Sequence, residues 1–359
     1  MLQMKRVGAN PLISPADVKP SQPDFRVEGI FNCGACTYKD EILLVCRVAE
    51  SVITESPDEY KVPIVVCENG VDQLKVISLK ESEHPEFDFS DSRTIHRKED
   101  GSTVYLTSLS HLRLARSKDG IHFTVEEKPF VFPSSVDESW GMEDARVTQI
   151  DDTYYLTYTS VTPNGPAASM ISTKDFVNYE RMGVIFAPEN KDIAVFPEKV
   201  QGKYLALNRP VSSAFGTPDI WLAESPDLRH WGNQKHFYGV SRESAWENGR
   251  TGAGAPPILT DKGWLMIYHA ADNRDRYCMG AFLLDKNNPM KILARTAGPI
   301  LSPEESYENE GFFGGVVFGC GAILQGDTVI LYYGAADDKV CRADISLTEL
   351  LAGMEPITH

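Results

Sequence analysis

One short pattern recurs five times along the chain: a strand, a tight polar turn, then a strand rich in Leu, Tyr and Ile that ends on polar residues. The copies are ACTYKDEILLVCRVAES (35–51), VTQIDDTYYLTYTSV (147–161), VQGKYLALNRPVSS (200–213), PILTDKGWLMIYHAAD (257–272) and AILQGDTVILYYGAAD (322–337). Their turns KDE, DDT, QGK, TDKG and QGD are hairpin chemistry, because Gly, Asp and Asn tolerate the dihedrals that a tight turn demands. A second motif follows several copies, in ARSKDGIHF (115–123), STKDFVNYE (172–180) and AESPDLRHW (223–231). It reads as an outer strand, a turn and an aromatic. Long amphipathic helical patterns are almost absent. The chain is therefore expected to be all-β, and five hairpins with outer strands imply a five-bladed β-propeller with a central pocket. A β-sandwich competes, but it does not demand so regular a repeat. No linker divides the chain, so residues 1–359 are expected to form one domain. The Pro-rich segment 1–30 is expected to lie extended along the surface, and ISLTELLAGM (345–354) to form one short helix.

Bulk composition narrows the function classes. With 359 residues, 42% of them hydrophobic, the chain can bury a large core. Its net charge of −16 repels nucleic acid and anionic membrane surfaces. An anionic substrate would need a local basic cluster set against that field. No run of 18 apolar residues offers a membrane span, and MLQMKRVGANPLISP has no apolar leader core. Seven cysteines, an odd number, fit a reducing cytoplasm better than a disulfide framework. Cys33 and Cys36 form a lone CxxC, better read as two small residues in a packed β layer than as a redox or metal motif.

In a closed propeller, chemistry collects near the axis, so the ends of the repeats matter. They carry Arg47 and Glu50, Thr159, Arg209, His269 and Asp337. The starts are polar too: Asn32 precedes the first copy, Glu143 and Asp144 the second, and Glu198 and Lys199 the third. Asn190, Lys191 and Asp192 lie just upstream of the third, and Arg250 lies ahead of the fourth in RTGAGAPPI. There Gly252 and Gly254 are expected to let backbone approach a ligand closely. Taken singly, each residue has a plain structural explanation. Glu143 and Asp144 fit an exposed turn, Arg209 a solvated strand end, His269 beside Tyr268 a hydrogen-bonded core histidine, and Arg47 a partner of Glu50. Together they recur at equivalent places in a repeat. A pocket with one or two carboxylates and several cations suits acid catalysis on a substrate with an anionic partner.

GMEDAR (141–146) resembles the Gly-x-Glu-Asp-Pro-Arg motif of glycoside hydrolase family 130, which comprises β-mannoside phosphorylases and a smaller set of β-mannosidases. FNCGA (31–35), LLVCRVAES (43–51), NKDIAVFPEK (190–199), LNRP (207–210), GAGAPPI (252–258), GWLMIYHAAD (263–272) and VILYYGAAD (329–337) are similar to its other landmarks, in order, from Asn10-Pro11 to Asp337. Three positions depart from the family pattern: Ala145 for Pro, Arg250 for Lys, and Cys33 for a small polar residue.

The resemblance implies a five-bladed propeller and inverting phosphorolysis of a β-mannoside, giving α-mannose 1-phosphate. Phosphate is itself the nucleophile, so cations replace the base that a hydrolase needs. It implies Asp144 as general acid, acting through a sugar hydroxyl. Arg209 and Arg250 would hold phosphate, helped by Asn190, Lys191, Lys199 and His269. Asn32, Arg47, Glu143, Tyr268 and Asp337 would bind the sugar. The expected partners are a β-linked manno-oligosaccharide, such as β-1,2-mannobiose or a short β-1,2-mannan, and inorganic phosphate, with no metal or organic cofactor. Loops 52–62, 84–104 and 303–313 are expected to set the linkage, and family analogy points to a homodimer. The competing readings are a β-1,4-mannoside or mannosylglucose phosphorylase, a β-mannosidase of the same fold, a furanosidase of another five-bladed family, and a non-catalytic sugar binder.

Overall fold

The structure is a computed structural model that describes residues 2–211 and 215–357. Ser212 and Ser213, the last residues of the third repeat copy, lie outside the described residues.

Each repeat copy forms the hairpin at the start of one antiparallel sheet. The first sheet contains Phe25–Tyr38, Glu41–Val52, Ser108–Ser117 and Thr124–Val125. The second contains Met142–Ile150, Thr153–Thr162, Gly165–Thr173 and Tyr179–Phe186. The third contains Asn190–Val195, Tyr204–Pro210, Ile220–Ser225 and Gly232–Tyr238. The fourth is built on Arg250–Ala253, Gly263–Ala271, Tyr277–Leu284 and Ile292–Arg295, with short Ile258–Thr260 and Glu355–Pro356 added. The fifth joins Val317–Gln325, Thr328–Ala335 and Lys339–Ser346 to the N-terminal Lys5–Arg6.

The outer-strand motif has one local cause, repeated three times. Asp119, Asp175 and Asp227 each accept backbone N–H bonds from the residues two and three further on. Beside them, the hydroxyls of Ser117, Thr173 and Ser225 accept the N–H of Gly120, Phe176 and Leu228. These side chains satisfy turn donors that no strand can reach.

The cores lie between sheets. One apolar cluster joins the first and second sheets through Leu43, Leu112, Val147 and Leu156. Another joins the second and third through Met170, Val195 and Ala206. The third meets the fourth through Phe196, Leu207, Trp264 and Phe282. The fourth meets the fifth through Ile267, Met279, Val317 and Leu331, and the fifth meets the first through Ile30, Leu44, Tyr332 and Val340. Every sheet thus packs on the next, and the last packs on the first.

The N-terminal segment is not merely draped over the surface. Lys5–Arg6 pairs with Ala343 and Asp344, and Met4, Ile13, Val18, Phe25 and Ile30 are buried. From Phe25 the chain is already in the first sheet, because its apolar residues complete the cluster between the last sheet and the first. The C-terminal helix is shorter than expected, Leu347–Ala352, capped by Ser346, whose hydroxyl accepts the N–H of Glu349. Between Val52 and Ser108 the chain leaves the first sheet for a hairpin, Glu59–Glu68 with Val71–Lys80, and a small three-stranded sheet. Val62, Leu79, Phe89 and Ile95 give this excursion its own small core.

Candidate active site

Three candidate side chains come from one backbone device used three times. The first strands of the first three sheets each carry a bulge, between Phe31 and Gly34, Glu143 and Arg146, and Lys191 and Ala194. In each, the first extra residue has positive φ: Asn32 at 46°, Asp144 at 53° and Asp192 at 59°. Asn and Asp are the non-glycine residues that best tolerate this conformation, and a bulge re-aims the side chain it carries. The fifth sheet has a matching irregularity at Cys320, between Gly319 and Gly321.

Asp144 and Asn32 meet directly. Asn32 Nδ2 donates to Asp144 Oδ1 at 3.0 Å, and Arg47 Nη1 donates to the same oxygen at 3.2 Å. Arg47 also binds Glu143 Oε1 at 2.7 Å through Nη2, and Ser110 Oγ at 3.0 Å through Nε. The Phe31 ring lies 4.7 Å below its guanidinium. Burial disfavours the charge on Arg47, yet Glu143, Asp144 and Asp337 together raise its pKa above the ordinary value. Burial pushes the Asp337 carboxyl up to about 7, opposed by Arg47 and reinforced by Asp144 and Glu143. Near neutral pH this group is therefore divided between a hydrogen-bond donor and a carboxylate.

A second cluster gathers around Asp192. Its Oδ1 pairs with Arg146 Nη2 at 3.0 Å, and its Oδ2 with Arg209 Nη1 at 3.0 Å and His269 Nε2 at 3.3 Å. Burial alone would raise the Asp192 pKa, but Arg209, His269 and Arg146 hold it well below the usual carboxylate range. Burial pulls His269 down to about 4, so it is neutral at pH 7. A side chain at Gly252 would collide with His269 Nε2 and Asp192 Oδ2. The glycine is thus needed for protein groups to approach, not a ligand, as the sequence had implied. Gly254 likewise makes room for the carbonyls of Ile267 and Gly319.

Arg146 connects the two clusters. It donates from Nη1 to the backbone carbonyl of Asp144 at 3.0 Å, and from Nε and Nη2 to the carbonyls of Gly254 and Ala253. On the outer side Arg250 Nη1 donates to the Tyr277 hydroxyl at 3.0 Å, and Nη2 pairs with Asp275. Tyr277 also feels the charge of Arg209, so both arginines flank one phenol. Lys191 lies directly opposite Arg209 across the strand pair. No group of three or more metal-ligating side chains with metal-site geometry occurs among the described residues.

The model of the family described as "beta-1,4-mannooligosaccharide phosphorylase" matches residues 102–355. A Listeria innocua β-1,2-mannobiose phosphorylase is 47% identical over 99% of both chains. The chain belongs to glycoside hydrolase family 130. The solved complex of the Listeria innocua enzyme with β-1,2-mannobiose superimposes with a TM-score of 0.92, covering 98% of this chain and 99% of that one. A 1,2-β-oligomannan phosphorylase from Thermoanaerobacter is 40% identical over 67% of this chain and 80% of its own length. A β-1,4-mannooligosaccharide phosphorylase from Ruminococcus albus is 35% identical over 66% of this chain and 73% of its own.

Of the site residues expected from sequence, Asn32, Arg47, Glu143, Asp144 and Asp337 fall together, Arg209 and His269 gather on Asp192, and Lys191 lies opposite Arg209 across the strand pair. Asn190 is buried beside them, donating to Asn208 Oδ1 at 3.0 Å, with its own Oδ1 unpartnered. Two expectations fail. Tyr268 is 1% exposed. It stacks on Phe282 with centroids 4.3 Å apart and donates its hydroxyl to Glu247, so it is core between the third and fourth sheets. Lys199 is exposed over the Tyr204 ring, at the end of its hairpin opposite to Asn190 and Arg209. Its register in the repeat carries it away from the site. Glu50 does not pair with Arg47 either: it turns to the other face and accepts from Ser21, beside His111. Tyr277, Asp275 and Arg93 were not singled out. Asp192 was named beside Asn190 and Lys191, but its place as the third member of the bulge series shows only in the strand register.

Proposed function

We propose that the protein is a β-1,2-mannoside phosphorylase, built as one five-bladed propeller domain whose blades are the five sheets. The ring of inter-sheet cores supports the architecture, and the higher identities of the β-1,2 relatives support the linkage over β-1,4. One observation carries phosphorolysis over hydrolysis. Beside the cations, the carboxylates are engaged: Asp192 by Arg146, Arg209 and His269, and Asp275 by Arg250. The remaining carboxyl, Asp337, lies with Arg47, Glu143 and Asp144 on the acid side, so the cation side offers an oxyanion the guanidinium donors of Arg209 and Arg250 rather than a free base.

In this reading the non-reducing mannose sits over Asn32, Arg47 and Asp337. Both hydrogen bonds to Asp144 fall on Oδ1, leaving Oδ2 to carry the proton. Phosphate held by Arg209, Arg250 and Lys191 attacks the anomeric carbon from the α face. The glycosidic C–O bond breaks, and its oxygen takes the proton of Asp144 through a sugar hydroxyl. The hydrogen phosphate proton restores Asp144, so the products are α-mannose 1-phosphate and the shortened sugar. No step calls on a metal or organic cofactor. The seven cysteines, all free, suit a reducing compartment such as the cytoplasm.

The test is incubation with β-1,2-mannobiose, with and without inorganic phosphate. Mannose 1-phosphate and one mannose, formed only with phosphate, is the expected result. Two mannoses regardless of phosphate would make it a hydrolase. Turnover of β-1,4-mannobiose alone would move the linkage.

A further inference from the structure

A groove of about 650 Å³ opens between the excursion that follows Val52 and the loop carrying Phe312. Sites for small molecules occupy about 300–1,000 Å³, so this one accommodates more than one hexose ring. Its lining includes Ser51, Thr54, Tyr60, Phe89, Ser92 and Phe312. Loops 52–62, 84–104 and 303–313 thus converge on a single surface.

Two stretches of chain lead from the groove to the site. Ser51 and Ser108 are cross-strand partners on its floor, on the same strands as Arg47 and Ser110, which hydrogen-bond each other. At about 3.3 Å per residue, Ser51 lies some 13 Å outward from Arg47 along the strand. On the other side, Phe313 N–H donates to the Ala336 carbonyl at 2.9 Å, so the backbone that follows Phe312 meets the backbone that precedes Asp337. Arg93 closes the gap. Its guanidinium is held by Asp91 and lies 5.0 Å from the Phe313 ring centroid, and its charge acts on Asp337.

The chemistry of the walls is that of a sugar site. Tyr60 and Phe89 pack with centroids 4.5 Å apart, and Phe312 is 37% exposed. Apolar ring faces pair with the C–H faces of pyranoses, and Ser51, Thr54 and Ser92 answer sugar hydroxyls. Phosphorolysis removes the non-reducing mannose, so the rest of the chain must leave the site on the reducing-end side. We propose that this groove binds β-1,2-linked mannosyl units beyond the two that flank the cleaved bond, making the enzyme selective for chains longer than mannobiose. The inference rests on the phosphorylase reading above.

The experiment compares phosphorolysis of β-1,2-mannobiose and β-1,2-mannotetraose by the wild type, Phe312→Ala and Thr54→Trp. Binding of both sugars to Asp144→Asn, measured by calorimetry, supplies a readout without turnover. The expected result is a kcat/KM for the tetraose about tenfold above that for the biose, with the same preference in affinity. Phe312→Ala removes the most exposed of the groove's rings and Thr54→Trp fills its exposed rim, so each should abolish the preference while leaving mannobiose kinetics near wild type. Equal kcat/KM and equal affinity for the two sugars would overturn the groove and leave the phosphorylase reading standing. Absence of mannobiose and mannotetraose phosphorolysis alike would overturn that reading itself.

Discussion

Arg146 and Asp192 form an ion pair 3.0 Å long with 1% and 2% of their side chains exposed, and this pair holds the acid end of the site to the cation end. Arg146 grips the backbone of Asp144, while Asp192 also anchors Arg209 and His269. A buried pair is costly to assemble but far costlier to break from one side, because a lone charge then remains in the interior. Asp192→Asn leaves two guanidinium groups without their counter-charge. It is expected to lower stability by about 3–5 kcal/mol. Urea unfolding with an unchanged m value would measure it, and a loss below about 1 kcal/mol would show that other groups neutralise the arginines.

Asp144→Asn keeps an oxygen for Asn32 and Arg47 to bind but removes the carboxyl proposed as the proton donor. Turnover is expected to fall by about 10²–10⁴-fold, the range for a lost general acid. Thermal unfolding should stay close to wild type, since the side chain is partly open to the pocket and its hydrogen bonds persist. Mannose 1-phosphate release, followed beside a melting curve, separates this from a folding defect. Retained turnover would remove Asp144 from the acid role.

The sheets were legible because the hairpin turns announce themselves: KDE, DDT and QGD must bend wherever they lie. The side chains at bulges were half legible. Asn32 and Asp144 stood out at repeat starts, but the bulge that aims them is a matter of strand register, which only cross-strand pairing reveals. Tyr268 and His269 show the limit most clearly. They are neighbours in one strand, so they face opposite sides, and only His269 reaches the site. Lys199 failed for a related reason, because a landmark that spans a whole strand and its turn has two ends. Arg93 was invisible because the excursion that carries it has no place in the repeat.

Arg250 is the more open of the two arginines proposed to hold phosphate and is tied to Tyr277 and Asp275. Arg250→Ala is expected to raise the KM for phosphate by about 10–100-fold, the worth of a charge-assisted hydrogen bond. The KM for mannobiose should change little. Arg250→Lys keeps the charge but loses the planar fork, so its phosphate KM should fall between the two. Steady-state kinetics with each substrate varied in turn would check the ordering. A matching rise in both KM values would place Arg250 in general pocket structure instead.

His269 makes stability depend on pH in a defined direction. Burial lowers its pKa from the ordinary 6.5 to about 4, against the pull of Asp192 and with the help of Arg209 and Arg146. The unfolded chain therefore takes up the proton first as pH falls. The stabilisation is complete above pH 6.5 and is lost progressively between 6.5 and 4, amounting to about 3 kcal/mol. His269→Asn should flatten that part of the stability profile. Urea midpoints at half-unit pH steps for both proteins test it, and parallel slopes would assign the acid sensitivity to other groups.

A buried ion pair ties the N-terminal strand Lys5–Arg6 to the segment that precedes the fifth sheet. Arg6 donates from Nε and Nη2 to the two oxygens of Glu308 at 2.8 and 2.9 Å, and the Glu308 side chain is fully buried. Glu308 also accepts from the Tyr333 hydroxyl and from the backbone of Glu304 and Glu305. Burial would raise its pKa, but Arg6 and these donors hold it below the ordinary value. Arg6→Ala leaves that carboxylate buried without its cation, at an expected cost of about 3–5 kcal/mol. The double variant Arg6→Met with Glu308→Gln removes both charges and should recover much of the loss. A double-mutant cycle in urea separates the pair from the strand that carries it. If Arg6→Ala and the double variant were equally destabilised, packing of the Lys5–Arg6 strand would be the cause, and the ion pair would contribute nothing of its own.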